Sequence, residues 1–260
     1  MLARHPWLVF GFVLLGGGTL RADTPALRLW EQGQEAMLRG DTDEAIGLYH
    51  QSLKLAPDLA RNYLSLAAAH IEKGDDAAAA PHMAEYLRLQ PGHLVVRAHY
   101  AELLYRLGQP EEARTQFERF IVSVQDHDVL ARQHLVHCHS RLMEIAEAEA
   151  DDYGEHLHRG IGLYLLACQG EGLEAEGGLS VEGTLFRAIA ELTLARIERP
   201  QEARPCWYLF AAWSRLAQQQ PAGRWLRATE AAAALSELTP SEKRQLQFAG
   251  RRLLDEGRRK

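Results

Sequence analysis

The sequence predicts an all-α chain, an α-solenoid of stacked helix pairs that runs into a more divergent helical C-terminal half. Three observations carry this expectation. Gly40, Gly74 and Gly108 lie 34 residues apart, as do Ala45, Ala79 and Ala113, and as do the large apolar Tyr49, Met83 and Phe117. Pro57 and Pro91 keep the same interval. The turns around the glycines read RGDTDEA, KGDDAAA and LGQPEEA. Self-similarity at a fixed period of this length is the mark of a repeat architecture.

The first 22 residues read as an address, not as part of the fold. Arg4 and His5 precede an apolar run from Trp7 to Leu15, followed by three glycines and TLRAD, with the small Ala22 before the expected cut. That order is a secretory signal. The apolar run is about half of the roughly 20 residues that span a bilayer, so a retained N-terminal membrane anchor is the alternative. Leu20 is larger than is usual three residues before a cut, and no cysteine lies near it to carry a lipid. The expectation is export to the periplasm or another extracytoplasmic compartment.

Each recurring residue of the repeat has a physical reason. Glycine closes the first helix of a pair, where the backbone turns left-handed. A small alanine early in the second helix lets the two helices approach, and the large residue one turn later fills the space between them. Proline after the second helix stops it. Apolar residues at helical spacing, such as Leu48, Leu53 and Leu55, cannot be buried by one pair alone, and stacking the pairs makes the core continuous.

On these residues the sequence resembles the tetratricopeptide-repeat (TPR) family over 26–124, as three units. The family's packing positions fall on Gly33, Ala36, Ala45, Tyr49 and Pro57 in the first unit. In the second they are Tyr63, Leu66, Ala67, Ala79, Met83 and Pro91, and in the third Tyr100, Ala101, Ala113, Phe117 and Phe120. Gln32, Arg97 and Gln125 depart from the family pattern. The resemblance implies a non-enzymatic scaffold whose first helices line an inner groove for a protein or peptide partner. Those groove positions are Trp30, Gln34 and Met37, then Leu64, Ala68 and Ile71, then Ala98, Glu102 and Tyr105. The lysine–asparagine set that clamps a C-terminal carboxylate in some members is missing, so apolar anchoring is expected. The competing expectation is that the chain's own C-terminal helices bury these positions.

Beyond residue 124 the match fades while the helices continue. Residues 125–168 read as a divergent fourth pair, with helices over 129–148 and 151–168 and a glycine-poor turn at Asp151-Asp152. QGEGLEAEGG, residues 169–178, reads as a loop and a candidate seam. Residues 179–260 read as TPR-like and capping helices. Helices over 180–197 and 201–218 form an expected fifth pair, because Pro110, Glu112, Ala113, Arg114, Phe117 and Phe120 recur as Pro200, Glu202, Ala203, Arg204, Trp207 and Phe210 at a constant offset of 90. Two more helices follow, over 222–236 and 240–256. The last opens on Thr239-Pro240-Ser241-Glu242, a capping box with proline at the first helical position.

Composition narrows the function classes. Apolar residues make up 47% and charged residues 25%, an ordinary soluble mix, and the formal charge is −6. Loss of Arg4 and Arg21 with the signal takes it to −8. That balance argues against nucleic acid, which needs a basic face. Cys138, Cys168 and Cys206 are an odd set and no disulfide framework, although one bond is possible.

The sharpest chemical-looking cluster is His134, His137, Cys138 and His139, with His156 and His158 on the next helix. It is the basis of an alternative reading as a metal-binding protein, although HExxH and CxxC are absent. The acidic runs 144–149 and 151–152 read as solvated helix ends, not as an acid–base pair. No phosphate loop, serine elbow or dinucleotide fingerprint is present. Trp207, Trp213 and Trp225 read as core packing. No catalytic residue and no cofactor is therefore expected.

Overall fold

The computed structural model describes residues 24–169, 180–216, 219–232 and 238–258. The expected signal 1–22 and, Gln169 apart, the expected loop 169–178 lie outside these residues. Thirteen helices follow one another among the described residues. Three hairpins come first: α1 (Pro25–Arg39) with α2 (Thr42–Leu55), α3 (Ala60–Glu72) with α4 (Asp76–Leu89), and α5 (Leu94–Arg106) with α6 (Pro110–Ser123). The short α7 (Val129–Arg132) leads to α8 (Leu135–Ala148) and α9 (Asp152–Gln169). The chain continues through α10 (Val181–Glu198), α11 (Ala203–Arg215), α12 (Gln219–Ala232) and α13 (Pro240–Arg258).

The hairpin turns are built alike. Gly40, Gly74 and Gly108 have φ of 86°, 76° and 71°, a left-handed backbone that side chains disfavour. Their amides donate to the carbonyls of Met37, Ile71 and Tyr105 at 2.9–3.0 Å. The next amides, of Asp41, Asp75 and Gln109, reach five residues back to Ala36, His70 and Leu104 at 2.8–3.0 Å. Together these bonds satisfy carbonyls that the end of a helix would leave without partners.

The fourth turn repeats the geometry without the glycine. Ala150 has φ 55°, its amide donates to Glu147 at 3.2 Å, and that of Asp151 donates to Ala146 at 2.9 Å. It comes eight residues later than the 34-residue period requires, and α7 occupies part of that insertion. The predicted helix 129–148 is accordingly broken at Gln133-His134.

Between the helices of each hairpin, small residues meet large ones. In the first unit Tyr49 has no exposed surface and lies directly over Gly33, where an added Cβ would stand 2.4 Å from its ring. The same places in the next units hold Ala67 with Met83 and Ala101 with Phe117, all buried. A buried polar contact knits the first two units. The Ser52 hydroxyl donates to the Ala26 carbonyl at 2.6 Å and accepts from the Asn62 amide at 2.7 Å.

The C-terminal half departs from the expected pairing. α10 packs along α9 more extensively than along α11, and α11 packs chiefly along α12. The cause is visible at Gly160, where a Cβ would lie 2.7 Å from Leu192 Cγ and 3.1 Å from the Leu192 amide nitrogen. A bare backbone at this point lets α9 and α10 meet closely, burying Leu157, Ile161, Leu192 and Ala195. α13 then returns to the end of α6. Ser241 Oγ and Gln245 Nε2 contact Asp126 at 2.5 and 2.9 Å, and Arg244 donates to Gln125 at 2.5 Å. The expected capping box is present, with Glu242 N to Thr239 Oγ1 at 3.2 Å and Thr239 N to Glu242 Oε2 at 2.6 Å.

Two substitutions test this account. Ala150→Gly removes the strain of a left-handed alanine and is expected to stabilise the fold by up to about 1 kcal/mol. Gly33→Ala forces Tyr49 off its seat and is expected to cost about 1–3 kcal/mol. At roughly 2–4 °C per kcal/mol for a chain of this size, thermal melts followed by circular dichroism separate both from wild type in opposite directions.

Candidate functional site

The groove expected from the sequence is set by α1, α3 and α5, and its positions differ in what they offer. Trp30 is only 8% exposed. Its indole N–H donates to Ser65 Oγ at 2.9 Å, and the Arg61 guanidinium sits 4.9 Å above its ring. Ala98 is 3% exposed within the core of the third unit. These two expected groove positions therefore present little surface in the fold. Arg61 and Ser65 of α3, in the next unit, cover Trp30.

Gln34 is half-buried, donating to Tyr49 OH at 2.8 Å and to Ser65 Oγ at 2.9 Å. Met37, Leu64, Ala68 and Ile71 are half-buried. Met37 packs on the first unit's core, and Leu64 and Ile71 on the second's.

Across α5 the character of this face changes. Glu102 accepts both Arg141 Nε at 2.9 Å and Arg141 Nη2 at 3.1 Å, and it contacts His137 Nε2 at 2.9 Å. Arg141 Nη1 donates to Glu144 at 2.7 Å, and Tyr105 OH donates to the same carboxylate at 2.9 Å. The guanidinium also lies 4.8 Å over the Tyr105 ring. Burial pulls the Glu102 carboxyl upward, but hydrogen bonds from His137 and Arg141 and the charge of Arg141 outweigh it and hold the group below its ordinary value. Hydrogen bonding to Glu144, with burial second, raises the Tyr105 phenol. α5 and α8 thus join through a polar network in which each charge has a partner.

The histidine cluster does not converge. His134 stands edge-on to His99 and Phe120, with ring centroids at 5.3 and 6.4 Å. His137 faces Glu102, and Cys138 is fully buried. His139 Nδ1 lies 3.0 Å from His158 Nδ1, while His156 pairs with Glu191 at 2.7 Å. Successive helical residues turn by about 100°, so neighbours in this run point to different sides. Among the described residues no three His, Cys, Asp or Glu side chains are placed to hold a metal ion, which removes the geometric basis of the metal-binding alternative. All three cysteines are free.

A different histidine group forms where no sequence spacing announces it. His82 of α4 stacks on His70 of α3 at 5.5 Å and meets His50 of α2 edge-on at 6.0 Å. A cavity of about 330 Å³ with a mixed lining lies between α6, α8, α9 and the C-terminal helices, with Leu142, Leu157, His139, His158, Arg204 and Glu242 among its lining residues. Among the described residues no helix is long and apolar enough to cross a membrane.

The family model of the tetratricopeptide repeat matches residues 77–132, which span α4, α5, α6 and α7. Over this segment the chain carries the tetratricopeptide repeat. No curated protein matches its sequence. Solved structures similar to this TPR chain include a crystal structure of MamA, at 13% identity over 80% of this chain and 92% of that one, with a TM-score of 0.42. YrrB, described as a TPR protein with an unusual peptide-binding site, is 14% identical over 81% and 87%, with a TM-score of 0.37. PilF of Pseudomonas aeruginosa is 14% identical over 86% and 97%, with a TM-score of 0.39. Likeness at this level says nothing of what the present chain binds.

The buried imidazole pair makes a prediction about acid. Burial, with the charges of Arg204 and Arg114, pushes His158 down to about 3. His139 is held well below its ordinary 6.5 by burial, then by His158 and Arg204. Both stay neutral in the fold but take up protons near pH 6.5 once unfolded. Their contribution is therefore complete above pH 6.5 and declines as pH falls towards 3, by up to about 1.4 kcal/mol per histidine per pH unit. Thermal melts between pH 7 and 4.5 should show this loss. His158→Gln, which keeps a hydrogen-bonding group opposite His139, should make the slope shallower.

Proposed function

We propose that the chain is an exported, non-catalytic TPR scaffold that binds a protein partner along the face of α1, α3 and α5. The observation that carries this reading is the half-buried row Met37, Leu64, Ala68 and Ile71. Met37, Leu64 and Ile71 each rest on their own repeat with part of the side chain left open, and Ala68 lies half-buried between them. Apolar groups held in this way on rigid helices suit a helix laid into a groove or an extended segment, whose own apolar residues would complete their burial. The ordering cost falls on the partner alone, because the two units beneath are already tied by Trp30, Gln34 and Ser65.

Beyond Ile71 the face becomes the paired charges of Glu102, Arg141 and Glu144 with Tyr105. A partner that follows the groove this far meets hydrogen-bonding groups instead of apolar ones. Apolar anchors at one end and polar residues at the other are its expected pattern. Export rests on the arrangement of residues 1–22, with basic Arg4, the apolar run Trp7–Leu15 and Ala22 before the cut.

Ala68→Arg tests the groove, since it sets a long charged side chain in the open row without removing a core group. Crosslinked capture from the envelope fraction, compared between wild type and Ala68→Arg, should lose the specific partner with helicity and melting temperature unchanged. Equal capture by both proteins would place binding elsewhere. Sequencing the N-terminus of the same sample reads export directly, since a mature chain should begin at Asp23.

A further inference from the structure

A second surface, independent of the groove, stands out on α10. This helix is about 27 Å long at the usual rise. One side is built into the fold through Leu185, Ala188, Leu192 and Ala195, each at most 1% exposed. Phe186, Ala190, Leu194 and Ile197 recur at steps of four, four and three residues, so they form one ridge along another side. All four are exposed, with Phe186 at 52%, Leu194 at 43% and Ile197 at 64%.

The repeat explains where this ridge comes from. The offset of 90 that relates α11 to α6 sets Phe186, Ala190, Leu194 and Ile197 on Val96, Tyr100 and Leu104 of α5 and on Leu107, its C-cap. There Val96 and Leu104 are 6% and 4% exposed, and Tyr100 and Leu107 pack on the core. In α10 the same register keeps apolar side chains, but the helix has turned to lie along α9. Among the described residues no neighbour buries this face in the fifth unit as one does in the third.

We infer that this ridge is an interface between two copies of the chain, packed antiparallel through α10. Read from opposite ends, the ridge complements itself. A two-fold axis near residue 192 sets Phe186 against Ile197 of the second copy and Ala190 against its Leu194. Large faces small at the centre, which lets the two helices approach.

The charges agree with this register. Arg187 and Glu198 are both exposed and flank the ridge on the same side. The two-fold axis therefore brings Arg187 of each copy beside Glu198 of the other, twice. The nearby Glu191 is already held by His156 and Arg159, so it brings no unpaired negative charge to the contact. Trp213 of α11 stands edge-on to Phe186 at 6.1 Å and extends the apolar surface at one end.

The test is sedimentation equilibrium of the full chain across a concentration range reaching the upper micromolar. The expected mass is twice that of the single chain. Leu194→Glu puts a carboxylate on the apolar ridge of both copies and should weaken the dimer more than about a hundredfold. Its circular dichroism should stay as in wild type, and its melting should match that of wild type at concentrations low enough for both to be monomeric, because the side chain is outside the core. Arg187→Glu converts both ion pairs to repulsions and should weaken the dimer about tenfold. Adding Glu198→Arg to Arg187→Glu should restore it. A wild-type chain that stays monomeric throughout, a Leu194→Glu dimer of undiminished strength, or a double variant no stronger than Arg187→Glu would each overturn the inference.

Discussion

Four times among the described residues a helix ends with one residue in the left-handed region and the following amide reaching back five residues. This turn fixes the angle at which the next helix departs, and the rest of the packing depends on that angle. Only when the hairpin closes in this way does Tyr49 come down on Gly33, Met83 on Ala67 and Phe117 on Ala101. Large-on-small packing in turn sets the spacing within each pair, so that the open faces of successive pairs match. The left-handed residue is a backbone constraint and the hydrogen bonds satisfy it. Hydrophobic burial then follows from placement already made.

Where that constraint is written in glycine, the sequence is legible. Gly40, Gly74 and Gly108 each make the expected turn, and the alanine and aromatic positions counted from them are buried as expected. The fourth turn escapes such a reading because Ala150 performs it, and nothing in an alanine advertises a positive φ. The repacking of α10 is hidden for a related reason. Its residues match α5 by type, and the decision to lie along α9 is made by Gly160, a residue of a different helix facing Leu192. Pattern matching sees which side chains are apolar, whereas which neighbour takes them is a long-range outcome.

The candidate groove was legible to a similar degree. Its positions follow from the period, but burial does not, since Trp30 is closed off by Arg61 and Ser65 of the following unit and Ala98 by its own core. The electrostatics were further from view. Glu102 and Arg141 are 39 residues apart, and only the stacking of α8 on the third unit makes them partners. The histidines illustrate the converse. Nearness in sequence brought His134, His137, Cys138 and His139 under one heading, while the helix sends His137, Cys138 and His139 to different surroundings.

A stack of hairpins with free ends behaves as a spring: its terminal units fray first, and a pull on either end is taken up by sliding each unit on the next. The return of α13 to Gln125 and Asp126, with Glu242 beside Arg204, changes the mechanics. The far end of the chain is moored to its middle, so the helices between form a closed circuit. Releasing one of these units means breaking those contacts as well as its contact with the next unit. The first three hairpins keep the compliance of an open coil, and the C-terminal half is a stiff hub to which that coil is fixed.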